Sequence, residues 1–248
     1  MHLFYQPNFS EISALTDDEA FHAAKVLRLR EGEAVRVTDG KGSWFDAIVQ
    51  QTHPKRCDLK IVQETKQSSR PFRIEIALAP TKNLDRVEWF VEKATEIGID
   101  KISFFYTKHS ERRTMKLERL QKIAVSAMKQ SLQAYLPEIV EVGDFEKWIL
   151  TLSKFETPIS QTLTKLTTQK FIAHLPNDQV PEHLLKKALP RQNCTVLIGP
   201  EGDFTEAEIQ LTQQNGFQMV TLGNTRLRTE TAALMACHTL HTANLLSY

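Results

Sequence analysis

The stretch that decides the fold is Val196–Ile209, which reads VLIGPEGDFTEAEI. An apolar run of the kind found in buried strands stops at the GPEG tetrapeptide of residues 199–202. A helix is predicted to begin directly afterwards, because Thr205 and Glu208 have the T-x-x-E spacing of a capping box. The sequence therefore predicts a strand, a tight glycine-bearing loop and a capped helix in immediate succession.

The GPEG loop is a candidate ligand site. In a parallel α/β sheet, ligands bind beyond the carboxyl ends of the strands, and this loop is fixed between a buried strand and a capped helix. We expect Gly199 and Gly202 to adopt backbone angles closed to other residues and to let a ligand approach the main chain. Pro200 stiffens the loop. A plain strand-to-helix turn is the alternative, although such a turn has no need of Glu201.

A second glycine loop follows about twenty residues later, in the stretch VTLGNTRLRTETAALMACHTLHTANLL that begins at Val220. Gly223 ends a predicted strand, and the loop after it carries Arg226 and Arg228. The hydroxyls of residues 229–231 are suited to capping a helix that is rich in small residues. We expect the two loops to form two sides of one pocket. Neither matches G-x-G-x-x-G or G-x-x-x-x-G-K-[ST], which disfavours a dinucleotide-binding Rossmann domain and a P-loop.

The rest of the chain has two parts with different periodicity. Up to about residue 69, alternating apolar residues around a turn at residues 39–42 predict a hairpin and a further strand. A short helix is predicted before them over DDEAFHAAKVLRL. Its inward-facing side chains are expected to be Phe21, Ala24 and Leu27 or Val26. After a polar linker, KQSSRP at residues 66–71, the predicted strands are RIEIALAP, KISFFYT, KFIAHL, TVLIGP and QMVTLG. They alternate with helices, which predicts a mostly parallel α/β sheet. The helix over LDRVEWFVEKATEIG is expected to end at Gly98, where a C′ glycine belongs.

The composition narrows the class of protein. The 31 basic and 30 acidic residues give a formal net charge of +1, so any RNA surface must be a local patch. Cys57, Cys194 and Cys237 lie far apart and are expected to be packed, reduced thiols of a cytoplasmic protein. No apolar run approaches the ~20 residues of a membrane span, no signal peptide is expected, and no metal-ligand spacing is present.

The motifs LIGPEGDFTEAEI and LGNTRLRTETAAL closely resemble the paired C-terminal motifs of SPOUT-class methyltransferases. Within that class the chain resembles the ribosomal RNA small-subunit methyltransferase E family, which methylates N3 of one uridine in 16S rRNA. The resemblance extends over nearly the whole chain, through HAAKVLRLREGE, EKATEIGI, SERR and WIL.

The resemblance implies an architecture and a cofactor. Residues 1–69 would form a PUA-like β-barrel that helps to hold RNA, and residues 70–248 an α/β methyltransferase domain with a C-terminal trefoil knot. The enzyme would act as a homodimer on 16S rRNA or the small ribosomal subunit, without a metal or a membrane. S-adenosylmethionine would lie in the knot. The residues implied to hold it are Leu197, Ile198, Gly199, Pro200, Glu201, Gly202, Leu222, Gly223, Leu227, Arg228, Thr229, Thr231 and Ala232. His174, at a strand end, either lines this pocket or is a packed histidine.

The chain departs from the family pattern at three places. The family commonly has a second glycine where this chain has Asp203, and a positive φ costs less for Asp than for most residues. No arginine lies in QSLQAYLPEI before Pro137, where the family often has two. The second loop reads GNTRLR where the usual text is closer to GPRILR, although Arg228 keeps its place.

Methylation of uracil N3 requires that its proton leave and that negative charge on the carbonyls be stabilised. Arg228 is the candidate for charge stabilisation, through its bidentate donors. The alternative is a structural salt bridge to Glu201 or Glu230. Glu201 is a candidate catalytic proton acceptor, although an acceptor of backbone amides that shapes the loop is favoured.

Basic residues outside the loops are candidates for contacts with RNA phosphate, with solvated surface charge as the alternative. They are Lys25, Arg28, Arg30, Arg112 and Arg113. Lys116, Arg119, Lys122 and Lys129 are expected to form a solvated helix face.

Two other classes of protein stay open at this stage. A non-catalytic RNA-binding protein, or a methyltransferase acting on another RNA, would retain the barrel and the basic residues. An α/β enzyme binding another nucleotide is disfavoured by the absence of phosphate-loop motifs.

Overall fold

A computed structural model describes residues 1–154, 168–176 and 180–246, which form two compact units. The first comprises residues 1–69 together with residues 125–136, and the second takes up the remainder. The division after Ser69 lies inside the linker expected from the sequence. The sequence did not predict that residues 125–136 belong with the first unit.

The first unit is built on a five-stranded sheet with the order β1-β3-β4-β5-β2. Its strands are β1 (His2–Tyr5), β2 (Ala14–Thr16), β3 (Ala34–Thr38), β4 (Ser43–His53) and β5 (Arg56–Lys66). β3 and β4 pair antiparallel across the predicted turn, β4 and β5 also pair antiparallel, and β1 lies parallel to β3. Alternate residues of the hairpin from Val35 to Val49, including Val37 and Phe45, enter the buried core. The period-two pattern in the sequence therefore identified the buried face correctly.

The helical segment of this unit differs from the prediction. After α1 (Phe9–Ile12), α2 (Asp17–Phe21) continues into a π-helical turn at His22–Val26. Phe21 was expected to face inward but is 54% exposed, and Ala20 and Ala23 are buried instead. Of the alternatives Leu27 and Val26, Leu27 packs against the core and Val26 is 58% exposed. A π-turn adds residues to the helical turn and rotates the side chains relative to a regular α-helix, which the 3.6-residue period does not describe.

The second unit contains a six-stranded sheet with the order β11-β9-β10-β6-β7-β8. The strands are β6 (Ile74–Leu78), β7 (Lys101–Tyr106), β8 (Glu138–Asp144), β9 (Thr168–Ala173), β10 (Asn193–Ile198) and β11 (Gln218–Val220). All five neighbouring pairs are parallel, as predicted. In chain order, β6, β7 and β8 form one half of the sheet. The last three strands then form the other half, with β10 next to β6. The knot implied by the resemblance stays a prediction.

In the described ranges, six helices accompany this sheet. They are α3 (Leu84–Ile97), α4 (Leu117–Gln130), α5 (Phe145–Lys154), α6 (Leu184–Lys187), α7 (Glu206–Gln214) and α8 (Thr229–Leu245). The division between the units falls within α4. α3 ends at Gly98, whose φ of 102° is the left-handed cap expected of a C′ glycine. α8 packs against α3, and Ala233 and Ala236 on α8 are fully buried. Their small side chains permit close packing inside the chain.

An aromatic cluster lies below the GPEG loop. The ring centroid of Phe105 is 4.7 Å from that of Phe145 and 6.1 Å from that of Phe204. All three side chains are buried in one core cluster that also contains Leu197 of β10. Phe204, two residues after the loop, is therefore fixed in the core. In the described parts of the chain, no helix is long and apolar enough to cross a membrane.

Candidate active site

A cavity of about 570 Å³ opens at the carboxyl ends of β9, β10 and β11, which are neighbours in the sheet. Its lining combines the residues after β9, the GPEG loop after β10, and the loop after β11 as far as the first turn of α8. This volume falls in the range of small-molecule sites, about 300–1,000 Å³. The expectation that the two glycine loops form one pocket is confirmed.

A direct hydrogen bond ties the two loops together. The hydroxyl of Thr229 donates to the carbonyl oxygen of Gly199 over 3.1 Å. Thr229 is buried and is the first residue of α8. Its hydroxyl was expected to cap α8, but the N-cap is Arg228, which makes no side-chain capping bond. Thr229 therefore joins the loops instead of capping its own helix.

The glycines are needed for a different reason from the one predicted. Positive φ angles occur at Asp203 (60°) and Gly223 (145°), and neither Gly199 nor Gly202 adopts one. A Cβ atom on Gly199 would lie 3.0 Å from Cε2 of Phe204, and a Cβ on Gly202 would lie 3.2 Å from Cβ of His109. These two glycines are therefore required by close packing, whereas Gly223 is required by its backbone angle.

Asp203 shapes the GPEG loop. Its φ of 60° agrees with the prediction that this chain accommodates Asp where the family commonly has glycine. One carboxylate oxygen accepts the backbone N–H of Phe204 at 2.8 Å, and the other lies 3.0 Å from Nδ1 of His174. The side chain of His174 is 15% exposed and that of Asp203 is 50% exposed. Of the two alternatives for His174, both apply, because it lines the cavity and its mostly buried ring fixes the loop.

The capping box at the start of α7 is present as predicted. Thr205 accepts the N–H of Glu208, and the Glu208 carboxylate accepts the N–H of Thr205. Glu208 is almost fully buried, and its other oxygen accepts the N–H of Lys108, in the loop after β7, at 3.0 Å. This second contact, which the sequence did not reveal, attaches the start of α7 to the loop after β7.

The two candidate catalytic residues both line the cavity and are exposed. Within the described ranges, Arg228 has no carboxylate partner within 4 Å, so the expected alternative of a structural salt bridge to Glu201 or Glu230 is wrong. Glu230 lies near Arg86 of α3 instead. Among described residues, the Glu201 carboxylate makes no hydrogen bond. The loop-shaping role that was expected of Glu201 is performed by Asp203. Arg228 is free to bind an acceptor from outside the chain.

Most of the residues implied to hold the cofactor line this cavity. They are His174, Ile198, Gly199, Pro200, Glu201, Gly202, Leu222, Gly223, Leu227, Arg228, Thr229 and Ala232. Leu197 does not, because it is fully buried in the core beneath the loop. Thr231 lies instead on a neighbouring cavity, because the first turn of α8 directs it away from Thr229. The lining residues that the sequence analysis missed are Ala173, Leu175, Asp203, Thr221, Thr225 and Arg226.

The candidate RNA-binding residues fall into two groups. Lys25, Arg28 and Arg30 are exposed in the first unit. Arg112 donates to the carbonyl of Lys82 at 3.1 Å, and Arg113 donates to the carbonyl of Thr107 at 3.2 Å. The second group therefore contributes to the structure of the second unit.

Part of the expected solvated face on α4 is also paired. Arg119 forms an ion pair with Glu88, and Lys129, which is only 24% exposed, forms one with Glu19 at 2.6 Å. Lys129 was expected to be solvated, and that expectation is wrong.

The three cysteines are free and buried, as predicted. Burial raises the pKa of Cys57 to about 11 and the pKa values of Cys194 and Cys237 to about 12. Thiols with such pKa values stay protonated at neutral pH and are poor nucleophiles. The described residues contain no group of three or more His, Cys, Asp or Glu side chains that could hold a metal ion.

Comparisons with known proteins agree with this geometry. The family described as "RNA methyltransferase domain" matches residues 68–241, and "RNA methyltransferase PUA domain" matches residues 15–62. The chain is 39% identical to a structure described as a probable rRNA-methyltransferase from Porphyromonas gingivalis, with a TM-score of 0.87 and full coverage of both chains. A ribosomal RNA small subunit methyltransferase E from Neisseria gonorrhoeae, bound to S-adenosyl methionine, is 27% identical, with a TM-score of 0.80 and 98% of each chain covered.

A curated relative supports the same assignment. The ribosomal RNA small subunit methyltransferase E of Bacillus subtilis is 27% identical over 243 residues, which cover 93% of this chain and 88% of the relative. The match extends over both units. Together with the strand-end cavity and the PUA-like first unit, it shows that the chain belongs to the RNA methyltransferase family of the ribosomal RNA small subunit methyltransferase E type.

Proposed function

We propose that this protein transfers a methyl group from S-adenosylmethionine to N3 of a uridine in 16S rRNA of the small ribosomal subunit. The observation that carries the proposal is the cavity at the ends of three adjacent parallel strands, lined by both glycine loops. The Neisseria gonorrhoeae relative with this fold is bound to S-adenosyl methionine, and the curated relatives are named as small-subunit rRNA methyltransferases.

The residues of the cavity fit such a cofactor. Ile198, Leu222 and Leu227 provide apolar surface, and the adjacent loops provide backbone polar groups. No heavy atom of the described residues lies within 4 Å of the position that a Cβ on Gly223 would occupy. These groups would hold S-adenosylmethionine, and Arg228 at the rim would bind the RNA. When bound, the cofactor supplies a methyl group carried on a positively charged sulfur.

The chain's own contribution is position and electrostatics. Holding two reactants in the correct orientation can contribute about 7–11 kcal/mol in ideal cases. The Thr229–Gly199 bond and the His174–Asp203 pair fix the loops, so little rearrangement is needed when ligands bind. The unpaired guanidinium of Arg228 would bind a uracil carbonyl or a phosphate oxygen through charge-assisted hydrogen bonds.

The exposed cations of the first unit would support RNA binding. Lys25 lies in the π-helical turn, and Arg28 and Arg30 follow it. The family model for a PUA domain includes all three. Each phosphate contact that they make should add to the salt dependence of RNA binding.

A homodimer in the cytoplasm completes the proposal. The small residues Ala233 and Ala236 do not support an interface, because they are buried within the chain. Better support comes from exposed apolar side chains on and beside α8, since Met235 is 41%, Leu245 is 69% and Leu246 is 74% exposed. Sedimentation equilibrium should give twice the mass of the chain for the native protein and a lower mass for Met235→Glu.

The catalytic proposal is tested in two steps. Calorimetry should detect S-adenosylmethionine binding to the full chain. Incubation with small-subunit particles that lack the modification should then produce 3-methyluridine, identified by mass spectrometry of the digested rRNA. Arg228→Ala should reduce the rate while leaving cofactor binding detectable. An RNA-binding protein without catalysis would instead give RNA affinity that is independent of the cofactor and survives Arg228→Ala. No heat of binding and no methylated uridine would contradict the proposal.

A further inference from the structure

A second cavity lies beside the first, between α3 and the start of α8. Its volume is about 300 Å³, at the lower end of the range for small-molecule sites. The residues that line it are Asp85, Arg86, Trp89, Arg228, Glu230 and Thr231. Arg228 lines both cavities. A ligand in the second cavity would therefore lie next to the proposed cofactor site.

Glu230 has unused hydrogen-bonding capacity. Its side chain is only 9% exposed, and Oε1 lies 3.7 Å from Nε of Arg86, which is longer than a hydrogen bond. Oε2 is buried and, within the described chain, has no hydrogen-bond partner. Leaving a buried acceptor unsatisfied is costly, more so when it is charged. Because Glu230 lines the cavity, a ligand bound there would be a source of the donor that the carboxylate lacks among the described residues.

The groups around Glu230 indicate which ligand fits. Arg86 and Arg228 can only donate hydrogen bonds, whereas an ionised Glu230 can only accept them. Trp89 is 42% exposed on the same cavity and offers an aromatic face on which a base can stack. The cavity therefore presents donors and an acceptor beside a stacking surface.

We propose that this cavity receives the target uracil base and that Glu230 accepts its N3 proton. This inference rests on the proposed function and deepens it. The imide edge of uracil presents a carbonyl, an N–H and a second carbonyl, which is complementary to a cavity lined by one carboxylate and two guanidinium groups. In the proton transfer, the N3–H bond breaks, the proton moves to a carboxylate oxygen of Glu230, and the bonding electron pair stays on N3. Arg86 and Arg228 stabilise the charge that develops on the two carbonyl oxygens.

The same arrangement discriminates against the other bases. Cytosine N3 and adenine N1 carry lone pairs, which an ionised carboxylate repels. Guanine has an N1–H, but its 2-amino group would face a guanidinium that also donates. Sites that leave buried polar groups unpaired with the wrong ligand discriminate strongly. The cavity thus accounts for selection of uracil as well as for activation of N3.

The first test measures base binding without methyl transfer. The chain has three tryptophans, so ¹⁵N-labelled indole groups give three NMR signals, and Trp89→Phe identifies that of Trp89. Uridine 5′-monophosphate should shift the Trp89 signal, and 3-methyluridine and cytidine monophosphates should bind at least about tenfold more weakly, because they offer Glu230 no N3–H donor. Equal effects of all three nucleotides, or none at Trp89, would overturn the inference.

The second test uses Glu230→Gln, with Glu206→Gln as the matched control. Both glutamates lie in the first turn of a helix, but Glu206 is exposed on α7. In single-turnover methylation of small-subunit particles at saturating cofactor, Glu230→Gln should lower the rate by about 10²- to 10⁴-fold, as expected for loss of a general base. Its cofactor Kd should stay within about twofold and its melting temperature should change little, because the Arg86 contact is 3.7 Å long and Oε2 has no hydrogen-bond partner among the described residues. A rate close to that of the control would contradict the proton-acceptor role.

The two tests separate the failure of this inference from that of the proposed function. A native chain that binds no S-adenosylmethionine contradicts the proposed function, while the Trp89 signal still reports whether the base site exists. A chain that binds and uses the cofactor, but shows no selective response at Trp89, retains the proposed function and loses the base site. If Glu230→Gln lowers both the melting temperature and cofactor affinity, Glu230 is structural and the inference fails.

Discussion

At the scale of single residues, the sequence identified the positions of the loop residues better than their conformations. Glycine at 199 and 202 predicted unusual backbone angles, but the left-handed angle belongs to the next residue, Asp203. Gly199 and Gly202 are small because Phe204 and His109 lie against them. His109 is distant from Gly202 in sequence, and the position of the Phe204 ring depends on how it packs in the core. Neither contact can be predicted from the sequence around the loop.

The angle at Asp203 yields the first prediction. Asp203→Gly should retain the loop because glycine adopts a φ of 60° without strain, although the His174 contact is lost. Asp203→Ala should be less stable than Asp203→Gly by about 1 kcal/mol, because Ala pays the left-handed penalty in addition. Urea denaturation of both variants measures the difference in free energy of unfolding. Equal stability of the two would show that the loop relaxes to a negative φ.

The second prediction concerns the space at Gly199. Gly199→Val should weaken S-adenosylmethionine binding at least about tenfold, because a Cβ would press on the buried Phe204 ring and the remaining atoms would crowd the cavity; overpacking of this kind costs about 1–3 kcal/mol. Calorimetry gives the affinity and thermal unfolding the stability. Ala207→Val, on the exposed side of α7, is the control with a β-branched residue on a surface. Unchanged affinity in Gly199→Val would contradict the location of the cofactor.

At the scale of elements, regular periodicity was reliable and irregular features were not. The hairpin, α3 with its glycine cap and five of the six strands of the second sheet follow from the sequence pattern. β8 was missed because it is an edge strand of the sheet, and only one of its seven residues is fully buried. The α2 segment was assigned the wrong inward face because a π-turn changes its register.

The attachment of α8 to the C-terminus of α3 gives a prediction for pH dependence. Nε2 of His241 lies 3.2 Å from the carbonyl oxygen of Gly98 and 3.1 Å from Nη1 of Arg70. Burial, followed by the charge of Arg70, lowers the pKa of His241 to about 4. The folded state therefore favours neutral histidine, whereas the unfolded chain binds a proton near its ordinary pKa of 6.5.

Because the unfolded state binds more protons between these pKa values, stability is lost as the pH falls from about 6.5 towards 4. Lowering the pH from 7.5 to 5 should cost at most about 2 kcal/mol through His241. Urea denaturation at the two pH values measures it, and the His241→Gln variant should lose less stability over this interval. An equal loss in the native chain and the variant would assign the effect to other groups.

At the scale of the whole molecule, the sequence predicted two parts and the alternation that defines the second sheet. It did not predict that residues 125–136 belong with the first unit. The contacts responsible are Lys129 with Glu19, and the N–H of Leu136 with the carbonyl of Gly40. These pairs are about a hundred residues apart in sequence, and a periodicity analysis has no means of pairing such distant segments.

The division into units also predicts which peptides the cofactor will protect from hydrogen exchange. Every residue that lines the first cavity belongs to the second unit. At a cofactor concentration of 100 times Kd, ligand binding stabilises the native state by about 2.7 kcal/mol. In hydrogen exchange over seconds to minutes, which reports local opening, protection should rise in peptides covering residues 173–175, 198–203 and 221–232. Peptides from β3 to β5 should be unchanged.

Methionine, which lacks the nucleoside of the cofactor, is the control for non-specific effects. At the same concentration it should leave the hydrogen exchange of all peptides unchanged. The loops are already tied by the Thr229–Gly199 bond and the His174–Asp203 pair. The cofactor should therefore slow hydrogen exchange in the cavity peptides by slowing the local opening of loops that are already formed. No peptide should exchange faster with the cofactor than without it. Protection confined to β3–β5 would contradict the location of the site. Strands β3 to β5 contribute no residue to the lining of the cavity, so local stabilisation of the cavity should not protect them. An equal rise in protection throughout both units would therefore show that the two units open together.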